Sequence, residues 1–293
     1  MNLYILLCIS MLARLAGEAF RKKYTLHTSG NMASMFVFNA ISSLVAAVVL
    51  LLWGVSAPSA FTLWLGILFG IITALQALAL LWALQIGPMS YTSVIGSFST
   101  LVTAVSGVLF FDESITVLQA VGIAIMLCSF VFATEKDKDK KKSSFRWLLL
   151  CTVNFLCIGC IGIMQKVHQA STYRAELNAF LVIAFVVAGM LSVLFAVLFY
   201  KHSKAPKENK RSSLKLQLLC MLITGVGAAL NNRFNLYLSG VIDSAIFFPV
   251  VNGGGLILST LAAVIFFRER LAKKQWIGIL LGIVAVFMLC TPT

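Results

Sequence analysis

The sequence predicts an all-α polytopic membrane protein: ten transmembrane helices arranged as two inverted five-helix repeats. Three observations carry this expectation. The 293 residues are 60% hydrophobic and only 11% charged, whereas a soluble domain is ~45–50% apolar and about 25% charged. Lys and Arg gather in alternate loops, and the chain resembles itself at an offset of 156 residues. With ~20 apolar residues per crossing, the composition supplies roughly ten spans.

Breaks at charge clusters, Pro and Gly divide the chain. The first expected span, 3–20, has neither a basic leader nor a small-residue cleavage site, so it reads as a retained helix rather than a signal peptide. The others are expected at 30–53, 61–85, 90–111, 116–134, 145–165, 177–200, 214–238, 244–267 and 273–290. Two connectors are hydrophilic, Glu135–Arg146 with its KDKDKKK run and Lys201–Lys215, and neither has the apolar periodicity of a soluble domain. The domain organisation that follows is a first five-helix repeat at 1–134, a charged cytoplasmic linker at 135–144 and a second, inverted repeat at 145–293. The seven cysteines all fall in apolar stretches without metal-site spacing, and read as small core residues.

The loops expected on one face hold 19 of the 23 Lys and Arg, and the other face holds only Lys166 and Arg174. Because cytoplasmic loops retain positive charge, both termini are predicted outside the cytoplasm. The same asymmetry accounts for the net charge of +13 without nucleic acid. No basic patch is interleaved with exposed aromatics in the way single-strand binders require.

The self-match joins VLFFDESITVLQAVGI, from Val108, to VIFFRERLAKKQWIGI, from Val264. Each half contains an odd number of spans, so the second copy is upside down relative to the first. Asp112 and Glu113 then make an acidic outer loop, and Arg268, Arg270, Lys273 and Lys274 a basic inner one. Inverted repeats recur in secondary transporters, with cargo bound near the midplane between repeats.

Ten spans, a five-plus-five repeat and the phrase FF-x-E-x(5)-Q-x-x-G in each half resemble the drug/metabolite transporter superfamily in its EamA-like branch. The resemblance covers nearly the whole chain. It implies a pore lined mainly by the first, third, fourth, sixth, eighth and ninth spans, no enzyme activity, and a bacterial cytoplasmic membrane as the location. Glu113 and Glu269, at a loop end, are expected to anchor the following helix rather than touch cargo. The first span also resembles the small multidrug resistance proteins. Matched on Lys22, their essential glutamate position falls on Arg14, and the only acid in the span, Glu18, lies one turn further on. This departure argues against proton-coupled export of lipophilic cations.

Charges inside a bilayer cost ~2.5–3.5 kcal/mol even on the lenient insertion scale, so they persist where paired or facing water. Arg14 and Glu18 stand at i and i+4 on one helical face. They are read either as a self-neutralising pair or as cargo ligands. The patch Asn231, Asn232, Arg233 and Asn235 is too polar to face lipid, and is read either as an interhelical network or as a substrate surface. Gln76 matches Asn232 at the repeat offset, Asn154 is mid-span in the sixth helix, and Asn252 precedes three glycines in the ninth. These nine residues are the candidate substrate-binding set. Trp82, Pro88, Tyr91 and Pro249 are the candidate gate or hinge positions.

His27, His168 and His202 are expected at loops, and no nucleophile elbow, zinc-protease motif or phosphate-binding loop is present. The sequence therefore reads as a secondary transporter, not an enzyme, and calls for no cofactor. Its partners are the lipid bilayer and a small-molecule substrate, with either a coupling proton or an exchanged solute. Two buried arginines against one buried acid favour an amphoteric or anionic metabolite, such as an amino acid or derivative, moved by alternating access. The alternatives are an exporter of cationic amines or drugs coupled through Glu18 and, more remotely, a non-transporting receptor or scaffold.

Overall fold

The computed structural model of the chain describes residues 3–27, 32–86, 89–133, 144–200, 214–267 and 272–290; within these, the side chains of 26–27, 89–91, 93, 133, 259–260, 262–263 and 265–267 are outside the description. Pro88, the Tyr91 side chain, most of the 135–144 linker, the 201–213 connector and the Phe266–Phe267–Glu269 part of the second motif thus lie outside the described residues. Among those described, every regular element is helical. They are α1 (Leu3–His27), α2 (Met32–Leu52), α3 (Ala60–Ile86), α4 (Met89–Ser97), α5 (Ser99–Phe110), α6 (Val117–Ala133), α7 (Phe145–Ala170), a 3-10 turn (Arg174–Glu176), α8 (Leu177–Tyr200), α9 (Leu214–Ser239), α10 (Ser244–Phe267) and α11 (Lys273–Cys290).

Seven of these segments are long and apolar enough to cross a membrane: those beginning at Leu3, Met32, Ala60, Phe145, Arg174, Leu214 and Lys273. Val94–Phe110, Val117–Phe132 and Ser244–Leu258 are apolar but shorter. The expected span at 90–111 is two helices meeting at Phe98, which has no side-chain cap. Here the Thr103 and Ser106 hydroxyls bond back to the carbonyls of Thr100 and Thr103. Such bonds compete with the helical ladder and bend it.

The chain forms two compact units, each drawing on both halves of the sequence. The first contains residues 1–74 and 167–237, and therefore α1, α2, α8, most of α9 and the first part of α3. Its packing is dictated by small residues. Helix α8 buries Ala184, Ala188, Gly189, Ser192 and Ala196, while Met190, Val193, Leu194, Val197 and Leu198 are exposed. In water this pattern is inverted; in lipid it is expected, because helices associate through small side chains and present large apolar ones to acyl chains. The Phe36 ring of α2 fills the remaining space against Phe195 and Phe199. Between α1 and α9, a Cβ on Gly227 would lie 2.6 Å from the Ala13 carbonyl oxygen, so only glycine allows this approach.

The second unit contains residues 75–166 and 238–293. Here the repeated motif explains itself locally. The Thr116 N–H donates to the Gln119 side-chain oxygen (3.0 Å) and the Gln119 N–H to the Thr116 hydroxyl (3.3 Å), a reciprocal capping box that starts α6. The second copy repeats half of it, with the Ala272 N–H donating to Gln275 at 2.8 Å. The motif glycine Gly122 lies where a Cβ would press on Leu289 of α11. The motif's Gln starts a helix and its Gly lets α6 and α11 meet.

Glu113 departs from expectation. It anchors not the following helix but the start of α10: its carboxylate accepts the Ser244 N–H at 2.7 Å and lies 3.2 Å from the Ser244 hydroxyl. Lys166 of α7 pairs with it at 2.5 Å and also donates to the Ile242 carbonyl. The approach depends on the turn after α5. Asp112 takes a left-handed φ of 53°, the Glu113 N–H returns to the Gly107 carbonyl, and any Cβ at Gly107 would collide with the Glu113 carboxylate. Asp tolerates this backbone region better than most residues. The Glu113 side chain of this loop thus forms a buried electrostatic joint, invisible locally because its partners lie far along the chain.

Candidate functional site

The nine candidate residues separate into four groups. The first is built on α1 and α9, in the first unit. A single helical turn puts Arg14 and Glu18 in register, and the Arg14 Nε donates to Glu18 Oε1 at 2.8 Å. Their side chains are 33% and 43% exposed, so the pair remains accessible. It lines a cavity of about 170 Å³ together with Arg21, Thr224, Asn231 and Asn232, floored by Ala13, Gly17, Gly227 and Ala228. Arg21, one further turn along α1, was not among the expected site residues; its i+7 spacing from Arg14 is the signal that would have found it. Asn232 is held by donating to the Ala228 carbonyl at 2.9 Å.

Asn231 and Asn235 share a face, as their spacing predicts, but much of their capacity is spent within the protein. The Asn235 amide donates to Asn231 Oδ1 at 3.2 Å, and Ser10 of α1 reaches Asn235 Oδ1 at 2.6 Å and Asn231 Oδ1 at 3.1 Å. This is an interhelical network. Asn231 also lines the cavity, whereas Asn235 does not.

Arg233 forms the second group. It is turned to the end of the unit, where its Nε donates to Asn178 of α8 at 3.1 Å and its guanidinium lies 4.3 Å from the centre of the Trp53 ring. Asn178 in turn donates to the Gly54 carbonyl at 2.8 Å. Arg233 is thereby a clamp between α9, α8 and the α2–α3 connection, and is not a wall of the cavity.

The other two groups lie in the second unit. Gln76 donates to Asn154 at 2.8 Å, and Asn154 is buried. Its amide sits 3.1 Å from where a Cβ of Gly96 would be, so that glycine makes room for it. Asn252 donates to the Thr100 hydroxyl at 3.0 Å. Each carboxamide satisfies another polar group inside an apolar bundle, as buried polar groups must. Of the gate positions, Trp82 is exposed on α3 and Pro249 lies in the second turn of α10.

One histidine also differs from expectation, while His202 and the His27 side chain lie outside the described residues. His168 is not at a loop: it lies in α7 and is fully buried, stacked on Phe180 with ring centres 4.5 Å apart.

Comparison with known proteins adds the following. The family described as "Sugar transport protein" matches the chain over residues 25–293. No curated protein matches it. A crystal structure of a protein 14% identical in sequence superposes with a TM-score of 0.75, covering 98% of this chain and 95% of that one, which is a likeness of fold.

Proposed function

The chain belongs to the sugar transport protein family, part of the drug/metabolite-transporter-like group of membrane transporters, and from that premise we propose that its cargo is a small polyhydroxylated solute, a sugar. The observation that carries this reading is the Arg14–Glu18 pair lining one small cavity with Asn231 and Asn232. Neighbouring sugar hydroxyls each donate and accept. A guanidinium offers a planar fork of donors, a carboxylate accepts in several directions and a carboxamide does both. The pair neutralises itself, which suits an uncharged cargo. At about 170 Å³ the cavity is smaller than the ~300–1,000 Å³ typical of sites for drug-sized ligands.

A second reading keeps the amphoteric or anionic metabolite, such as an amino acid or derivative. Arg21 favours it, because two positive groups and one negative then line the cavity; the same excess disfavours a cationic amine. The wider arrangement belongs to the proposal too: ten spans as two inverted EamA-like repeats, both termini outside the cytoplasm of a bacterial cell, and cargo moved by alternating access. The loop charges and the repeat offset support it.

The test is uptake of labelled D-glucose, D-ribose and glutamate by the purified chain in liposomes. Saturable sugar uptake is expected, falling more than about tenfold in Arg14→Gln and Glu18→Gln. Uptake of glutamate without either sugar would promote the second reading. Wild-type rates in both variants would remove this cavity from the route.

A further inference from the structure

The clamp at the end of the first unit leaves a positive charge that no acid answers. Arg14 has Glu18 as its partner. The described contacts of Arg233 are the Asn178 side chain and the rings of Trp53 and Phe234, and no carboxylate is among them. The acid placed at this end, Glu176, is spent on the Ser59 N–H and hydroxyl. A charge at membrane depth persists where it is paired or reaches water, so this guanidinium is placed to meet an anion that the chain does not supply.

Its geometry is that of a prepared fork. Only Nε is committed, to Asn178 at 3.1 Å, which leaves the donors on the two terminal nitrogens. These reach the surface, since the buried unpartnered side-chain atoms among the described residues are Thr73 Oγ1 and His168 Nε2. The Trp53 ring supports the guanidinium at 4.3 Å. Asn178 is itself fixed by donating to the carbonyl of Gly54, whose φ of 94° is one that glycine adopts freely. Two neighbours therefore orient the fork before any ligand arrives, which lowers the ordering cost of binding one.

The surroundings identify the ligand. Trp53 follows the last residue of α2, Asn178 is in the first turn of α8, and Arg233 is six residues from the end of α9, ~9 Å at 1.5 Å per residue. A long side chain bridges that depth toward the interface. The segment carrying Trp53 exposes Leu51, Leu52 and Val55, a surface for acyl chains, and half-exposed tryptophans belong at headgroup level. Tyr237, exposed one turn beyond Arg233, adds a hydroxyl on the same helical face. The two unesterified oxygens of a phosphodiester match the paired donors of a guanidinium.

We propose that Arg233, oriented by Asn178 and Trp53, binds a phosphate group, with the headgroup of a membrane phospholipid as the source these surroundings favour. The site is separate from the cavity and independent of the cargo.

The experiment measures fluorescence anisotropy of tail-labelled phosphatidylglycerol with the full chain purified in non-ionic detergent. Saturable binding is expected, displaced by unlabelled phosphatidylglycerol and not by diacylglycerol of the same chains. Arg233→Gln is expected to weaken it more than about tenfold and Asn178→Ala about threefold, while Arg174→Gln, which removes the exposed charge of the neighbouring 3-10 turn, changes it less than about twofold. Displacement by millimolar inorganic phosphate, lost in Arg233→Gln, upholds the phosphate fork and makes a free phosphate its source. Equal displacement by diacylglycerol overturns the proposal, because acyl chains alone then account for binding. So does equal weakening in Arg174→Gln and Arg233→Gln, which marks a diffuse positive field, and so does the absence of saturable binding. If Arg233→Gln does not fold, Asn178→Ala decides: wild-type affinity there overturns the oriented fork, and the threefold loss upholds it.

Discussion

The two compact units each hold an acid–base pair at similar distance, Arg14–Glu18 at 2.8 Å and Lys166–Glu113 at 2.5 Å, yet their surroundings differ. In the first unit both side chains are a third or more exposed and line a cavity. In the second they are 12% and 6% exposed, and the Glu113 carboxylate also receives the first N–H of α10. Proximity of opposite charges does not distinguish a binding site from a structural joint. The number of partners already satisfied does. Glu113 has bonds to Ser244, Lys166 and the turn that carries it, and so has little to offer a ligand, whereas the exposed pair retains chemistry for one.

The comparison breaks most visibly at Glu113. Glu113→Ala leaves Lys166 buried without its counter-charge and is expected to destabilise the protein by about 3–5 kcal/mol, read as a large drop in thermal midpoint of the detergent-purified chain. The double replacement Glu113→Gln with Lys166→Met should recover much of this loss, because the uncompensated charge is gone. Gly107→Ala should cost less, about 1–3 kcal/mol, by pushing the carboxylate off its seat. Combined with Glu113→Ala it should add less than the sum of the two, a coupling that a double-mutant cycle measures. Gln119→Ala removes one cap and should cost about 1 kcal/mol, with no change in transport rate. The smallest stability effect belongs to Arg14→Gln, below about 1 kcal/mol for an exposed pair, although uptake should fall sharply. If Arg14→Gln instead unfolds the protein as Glu113→Ala does, the two pairs are alike and the distinction drawn between them fails.

The periodicity-free apolar runs made the helices legible, since a backbone in lipid has few alternatives to a helix. The side-chain pairings of the candidate site were legible in part. Arg14 with Glu18, and Asn231 with Asn235, could be paired because both members lie on one helix at i and i+4. What could not be read was everything decided between helices: that Asn235 answers to Ser10, that Arg233 turns to Trp53 and Asn178, and that Glu113 reaches Ser244, 131 residues away in sequence. Side-chain direction at a helix end depends on a neighbour the sequence does not name. His168 was misplaced for a simpler reason: α7 continues to Ala170, a turn beyond the point where polar residues suggested its end. The polar run Gln165, Lys166, His168 and Gln169 reads as a loop by hydropathy, but each of its members is mostly buried against protein.

Helix α8, small within and bulky without, has a consequence for descent. Its interior positions are small, and at Ala184 the backbone carbonyl oxygen lies 2.7 Å from where a Cβ on Gly70 of α3 would be, so the two helices meet too closely there for a larger residue at Gly70. Its outward positions are restricted only by oiliness, so one large apolar residue there serves as well as another. Substitutions can accumulate on the lipid side almost without limit while the spacing between helices is preserved. A fold can be alike at 14% identity and a TM-score of 0.75 under such a rule, which fixes the volumes of interior side chains and leaves the names of the outward ones free.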